Sequence, residues 1–284
     1  MTKPFKADVL VVKLSGKALT ADKALDALFA ALAGSAASAE RTRVVLVHGG
    51  GVEVDALMRG LGRRIDRIEG LRVSPAEDMP VIAGALAGTC SLKLRGAAQR
   101  AGLMPLGLCA TDAGIGRVVP ADPRLGRVGV IEPGDSAAKR CLQALLDAGF
   151  TPVISSVGMD AAGALWNINA DDAAVASAAL LGAPLIFLSD VPGVLDANKH
   201  LFEQLNEEQA ETLIAEGVIS GGMTVKVRAA FRAAAMTGKP VAAASVFDPM
   251  LPNKLASGQL PGTTFTLECI PVSYTHLRAH ETLS

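Results

Sequence analysis

Apolar residues along this chain alternate between two rhythms. Short, dominantly apolar runs occupy residues 8–14 (DVLVVKL), 43–47 (RVVLV), 152–157 (PVISSV), 184–189 (PLIFLS) and 241–247 (VAAASVF), with a last one at 263–267. Runs of this length, rich in β-branched residues and broken off by Gly, Pro or Asp, predict strands buried on both faces. Between them the spacing turns helical. Residues 21–32 place Leu25, Leu28, Phe29 and Leu32 on one side, and residues 52–61, 136–148 and 206–216 follow the same period. An alanine-rich helix starts near Asp172, which the pattern offers as its cap, and another helix carries Lys226. Ser74 and Pro75 predict the start of a long helix reaching about Gln99, with Val81, Ile82, Ala85, Leu86 and Leu92 beside small Gly84 and Gly88. So wide an apolar helix reads first as core and second as a dimer contact. Residues 106–133 are short apolar pieces separated by Gly, Pro and Asp, which predict hairpins. The alternation as a whole predicts an α/β fold, a mostly parallel open sheet sandwiched by helices.

Composition narrows the function classes. The chain has 284 residues, half of them apolar, and a formal charge of −1, enough for a large core and too balanced for a nucleic-acid footprint or an anionic membrane surface. Its longest uncharged run, 173–189, is shorter than the ~20 residues a membrane span needs and is interrupted by Gly182 and Pro184. The opening MTKPFKADVL lacks an export signal's apolar core, so the expected location is the cytoplasm. Cys90, Cys109, Cys141 and Cys269 form no C-x-x-C pair, which fits reduced thiols and no protein-held metal. Residues 269–284 differ from the rest: they hold the single tyrosine, Tyr274, with His276 and His280, and read as a non-native tail.

Candidate chemistry gathers where strands end. Three glycines, Gly49 to Gly51, separate the strand RVVLVH from a helix, a geometry in which free amide groups and a helix N-terminus can face an anion. The plain alternative is a tight turn. Lys13 closes another buried strand at the edge where ligands of open α/β sheets gather, although a strand-end lysine often only reaches for water. The SGK that follows is not a Walker A motif, because Val11 stands where its first glycine belongs. A dinucleotide fingerprint counted from Gly49 fails at Val54. Arg72, just before the long helix, has the planar fork for a two-point hold on a carboxylate.

Six motifs in order give these residues a context: KLSG at 13–16, VHGGG at 47–51, GLRVSP at 70–75, WNINADDAA at 166–174, LSDVPGVL at 188–195 and SGGMTVK at 220–226. Together they make the chain similar to the amino-acid kinase superfamily, and within it to kinases of N-acetyl-L-glutamate in arginine biosynthesis. The resemblance implies an αβα sandwich of two lobes. Residues 1–165 would bind the acyl amino acid and dimerise, and residues 166–268 would bind the nucleotide. It implies that Lys13 and Lys226 stabilise the transferring phosphoryl group while Asp171 holds both lysines. Gly49, Gly50, Arg72 and Asn167 would meet the acceptor. Gly16, Asp190, Val191, Pro192, Gly193, Val194, Leu195, Val218, Ile219 and Ser220 would border ATP, which brings Mg²⁺. Ser15 departs from the pattern, since many relatives have a second glycine there, and its role stays open. Arginine-inhibited relatives carry an extra N-terminal helix; only twelve residues precede Lys13, so an arginine-insensitive homodimer is expected.

The implied chemistry suits these residue types. A side-chain carboxylate with a pKa near 4.3 is ionised at neutral pH, so its phosphorylation needs charge neutralisation rather than a general base. His48 is accordingly read as a positioning residue. Three other readings remain: a superfamily kinase acting on glutamate, aspartate, carbamate or a nucleotide, a nicotinamide-dependent oxidoreductase, and a silent amino-acid sensor.

Overall fold

The computed structural model describes residues 7–35, 42–196 and 198–267; residues 269–284, read above as a tail, lie outside them. In chain order the main elements are β1 (Val9–Leu14), α1 (Asp22–Ser35), β2 (Arg43–His48), α2 (Gly51–Gly60), β3 (Arg67–Ile68), β4 (Leu71–Arg72), α3 (Met79–Ala83), α4 (Ser91–Arg100), β5 (Pro105–Cys109), β6 (Gly116–Pro120), β7 (Val128–Pro133), α5 (Ser136–Asp147), β8 (Thr151–Ser155), β9 (Val157–Met159), β10 (Leu165–Ile168), α6 (Ala170–Leu181), β11 (Leu185–Ser189), β12 (Gln204–Asn206), α7 (Glu207–Ala215), α8 (Gly222–Thr237), β13 (Val241–Ser245), α9 (Leu251–Ala256) and β14 (Thr263–Thr266).

Eight strands form one sheet in the order β12-β14-β13-β11-β1-β2-β8-β5. Every pairing in it is parallel except β13 with β14. Strand parity divides the core. Val9 and Val11 join Val45, Val47, Leu185 and Phe187 on the face covered by α5, α6 and α8. Leu10, Val12 and Leu14 join Leu46, Ile186 and Leu188 on the face covered by α1, α4 and α9. A sheet buried on both faces explains why its strands are apolar without alternation. The chain grows from β1 through β2 to β8 on one side and returns through β11 to β13 on the other. The carboxyl end of β1 is thus a topological switch point, the crevice where such sheets bind ligands.

A second sheet, β6-β7-β10-β9, and the small hairpin β3-β4 flank this edge. Four local expectations are corrected. Residues 105–109 are a parallel edge strand of the main sheet rather than a hairpin arm, because Leu106 and Leu108 pair with Pro152 and Ile154 of β8. The long helix itself runs without a gap from Met79 to Arg100, with a π-helical stretch, Gly84–Cys90, between α3 and α4. Leu92, counted with its apolar side, is 59% exposed. Ser74 caps nothing, since the turn before α3 has Pro75 at its cap and makes no side-chain cap bond. Asn169, not Asp172, caps α6, and Asp172 instead pairs with Arg232.

Candidate active site

Parity delivers Lys13. As an odd residue of β1 it points to the face of Val9 and Val11, flanked in register by Val47 and Phe187. That is the face on which α6 packs. The Asn169 side chain accepts the Asp171 N–H at 2.9 Å, starting α6 there and fixing Asp171 in its first turn. Lys13 Nζ then lies 2.6 Å from Asp171 Oδ1. Both residues are buried. The contact is an ion pair by distance, not an aligned hydrogen bond.

Lys226, in α8, is half-buried beside them. Burial, and then the ammonium of Lys13, push its pKa below the usual lysine value, against the pull of Asp171 and Asp190. Among the described residues Lys226 has no ion pair within 4 Å. Asp171 therefore contacts Lys13 directly and reaches Lys226 through its field.

A third lysine, which the sequence pattern does not single out, stands beside these groups. Lys17 Nζ donates to Asp190 Oδ2 at 2.7 Å, joining the turn after β1 to the turn after β11. The Lys17 hydrogen bond is the leading reason why the Asp190 carboxyl titrates below its ordinary range. The signal was present in SGK and lost its meaning once the Walker pattern failed. Ser15 also gains a role, because its Oγ accepts the Ala18 N–H at 3.3 Å and holds this turn.

The glycines sit where backbones nearly touch. A Cβ on Gly16 would lie 3.4 Å from the Gly51 nitrogen, and one on Gly49 3.3 Å from Ala170 Cβ. One on Gly50 would fall 2.4 Å from Cys90 Sγ. Close packing is thus a reason for these glycines alongside any ligand. The His48 ring is wholly buried, Nδ1 is 2.9 Å from the Gly49 carbonyl, and Nε2 meets no polar group. Burial drives its pKa down to about 4, so the ring is neutral at pH 7.

A polar chain leads to the glycine turn. Asn167 Nδ2 donates to Ser74 Oγ at 3.0 Å, and Ser74 Oγ donates to the Arg72 carbonyl at 3.2 Å. Arg72 is buried in β4, and its guanidinium pairs with Asp55 and donates to the Gly51 carbonyl at 3.1 Å. Arg72 is thereby a neighbour of the glycine turn, and Asn167 is tied to it through Ser74. Nothing in the sequence context of Ser74 marks it as the link.

Of the remaining candidates, Asp190, Val191, Pro192, Gly193, Val194 and Leu195 form the turn leaving β11. Gly193 has φ +145°, and a Cβ there would lie 2.5 Å from Thr263 Oγ1. Val194 and Ile219 are buried in one apolar cluster, so their main chains are what they offer a ligand; Val218 is half-buried and Ser220 exposed. Among the described residues no group of three or more His, Cys, Asp or Glu side chains could hold a metal ion. The site's two carboxylates, Asp171 and Asp190, already face ammoniums. This donor set suits a cation carried on phosphate oxygens rather than one caged by protein.

The model of the amino acid kinase family matches residues 8–244. The chain belongs to this family. It is 47% identical over 265 residues to the acetylglutamate kinase of Vibrio vulnificus strain YJ016, covering 93% of this chain and 99% of that protein. The acetylglutamate kinase of Aeromonas salmonicida strain A449 is 47% identical over 91% of this chain and 98% of its own. Among solved structures, smu.665 from Streptococcus mutans UA159 superposes with a TM-score of 0.74 at 26% identity, over 92% of this chain and 99% of that one. Carbamate kinase from Giardia shares the fold with a TM-score of 0.65 at 17% identity, over 92% of this chain and 99% of that one. Membership makes the protein an ATP-dependent kinase. No described helix is long and apolar enough to cross a membrane.

Proposed function

We propose that the chain transfers the γ-phosphoryl group of ATP to the side-chain carboxylate of N-acetyl-L-glutamate, giving N-acetyl-L-glutamyl 5-phosphate for arginine biosynthesis. The observation that carries this reading is the buried Lys13–Asp171 pair at the β1 switch point, with Lys226 close enough to feel both charges and with a neutral, buried His48 at the end of β2. Such a site gathers positive charge, and its two carboxylates, Asp171 and Asp190, are already paired with ammoniums. A carboxylate nucleophile needs that positive charge and no general base.

In this reading a carboxylate oxygen attacks the γ-phosphorus in line, the bond to the β,γ-bridging oxygen breaks, and ADP leaves. Lys13 and Lys226 neutralise the charge spread over the migrating group. Asp171 acts on Lys13, holding its ammonium in place. Amides of Gly49, Gly50 and Gly16 receive phosphoryl or carboxylate oxygens at the glycine turn. Arg72 and Asn167, tied through Ser74, grip the acyl amino acid. The turn from Asp190 to Leu195, with Val218, Ile219 and Ser220, borders the nucleotide. Mg²⁺ bound to the phosphates supplies further charge neutralisation. Residues 1–165 then chiefly serve the acceptor and residues 166–268 the nucleotide, in a cytoplasmic homodimer.

The test is a hydroxamate assay with MgATP and N-acetylglutamate, run beside glutamate, aspartate and carbamate. Turnover confined to the acetylated acceptor supports the reading. Equal or preferred turnover of another acceptor overturns it, and light scattering measures the oligomeric state.

A further inference from the structure

Five charged groups around the end of β1 are coupled: Lys13 pairs with Asp171, Lys17 pairs with Asp190, and Lys226 feels Lys13 first and then Asp171 and Asp190. Three ammoniums and two carboxylates leave one positive charge in excess, so the group as a whole favours an anion. One of the two pairs is buried and the other open. Lys13 is locked in the core, whereas the Lys17 side chain is 68% exposed and its Asp190 partner 34%. An exposed lysine pair of this sort contributes little to stability, because solvent screens it and the side chain loses freedom. Folding therefore gives weak reason for Lys17 to reach across the mouth of the switch point. Asp190 also stands at the turn assigned above to the nucleotide, where an unscreened carboxylate would repel a polyphosphate.

We propose that Lys17 is a nucleotide-positioning residue that works by partner exchange, an inference that rests on the kinase reading of this site. Before nucleotide binds, its ammonium screens Asp190. When the polyphosphate enters, the ammonium moves onto a phosphate oxygen, so that one anionic partner replaces another and the charge is paired throughout. Ser15 serves this movement, because its hydroxyl holds the Ala18 N–H and anchors the turn from which Lys17 swings. Lys226 keeps the field on Asp190 once Lys17 has left it.

The test compares Lys17→Met and Lys17→Arg with the unaltered protein, by isothermal titration with MgATP and by steady-state kinetics. Lys17→Met is expected to raise the Kd and KM for MgATP about tenfold, the loss of one charge-assisted contact at a half-open site. The KM for N-acetylglutamate and the melting temperature should stay unchanged, and kcat should fall less than twofold. Lys17→Arg should restore most of the affinity. Salt should weaken MgATP binding less steeply in Lys17→Met, which has lost one ionic contact. An unchanged MgATP Kd in Lys17→Met, or a matching rise in both KM values, would overturn the proposal while leaving the kinase reading intact. An unaltered protein that neither binds MgATP nor turns over would overturn both.

Discussion

Lys13 Nζ and Asp171 Oδ1 meet 2.6 Å apart in the interior, one from the first strand and the other from the first turn of α6. A buried pair costs desolvation of both ions, and removing one partner strands the other. Asp171→Asn should therefore destabilise the fold by about 3 kcal/mol. Lys13→Met combined with Asp171→Asn should cost less than the sum of the two single changes. Urea unfolding of all four proteins measures the coupling, and strict additivity would show that the pair is not one unit.

Lys226 and Arg72 should separate kinetically. Lys226→Ala removes charge needed mainly in the transition state and should lower kcat about a hundredfold or more. Arg72→Lys keeps the charge but loses the fork that reaches Asp55 and the Gly51 carbonyl, so it should raise KM for the acyl amino acid about tenfold. Small, equal effects in a coupled ATPase assay would defeat the assignment.

Lys226 also predicts an alkaline limb. Its pKa lies below the ordinary 10.5, so its charge, and with it kcat, should fade as pH rises through a value under 10.5. Lys226→Arg should move that limb upward, since a guanidinium holds its proton. A pH profile identical in both proteins would assign the limb elsewhere.

His48 links stability to acid. Its folded pKa of about 4 lies beneath the ordinary 6.5, so between these values the unfolded chain binds a proton that the folded chain refuses. Above pH 6.5 nothing is lost. As pH falls to 4 this group should remove about 3 kcal/mol, the full shift converted to free energy. Subtracting the pH dependence of melting in His48→Gln isolates this share, and identical curves would contradict it.

Gly50→Ala should disturb the glycine turn by collision with Cys90 Sγ, at a cost of about 1–3 kcal/mol. Adding Cys90→Ala should recover part of that stability, because the offending sulfur is gone. A Gly50→Ala protein as stable as the parent would mean that α2 and the helix bearing Cys90 yield freely. The Cys90 thiol, pushed up to about 12 mainly by burial, stays protonated throughout.

The sequence by itself determined the alternation of apolar strands and amphipathic helices, and so a parallel sheet covered on both faces. It also determined which residues could carry the chemistry: Lys13 and the glycines stand at strand ends, where the period breaks, and Arg72 stands just before a predicted helix. Neighbours in space were another matter. That Lys13 faces Asp171 depends on strand parity together with the docking of α6. That Arg72, Ser74 and Asn167 form one chain depends on a hairpin whose two-residue strands are too short to show any period. Lys17 stayed hidden for the same reason: its partner, Asp190, is brought to it only by the crossover that returns the chain to the far side of β1. Local periodicity reports which face a side chain takes; which other face it meets is set by long-range packing.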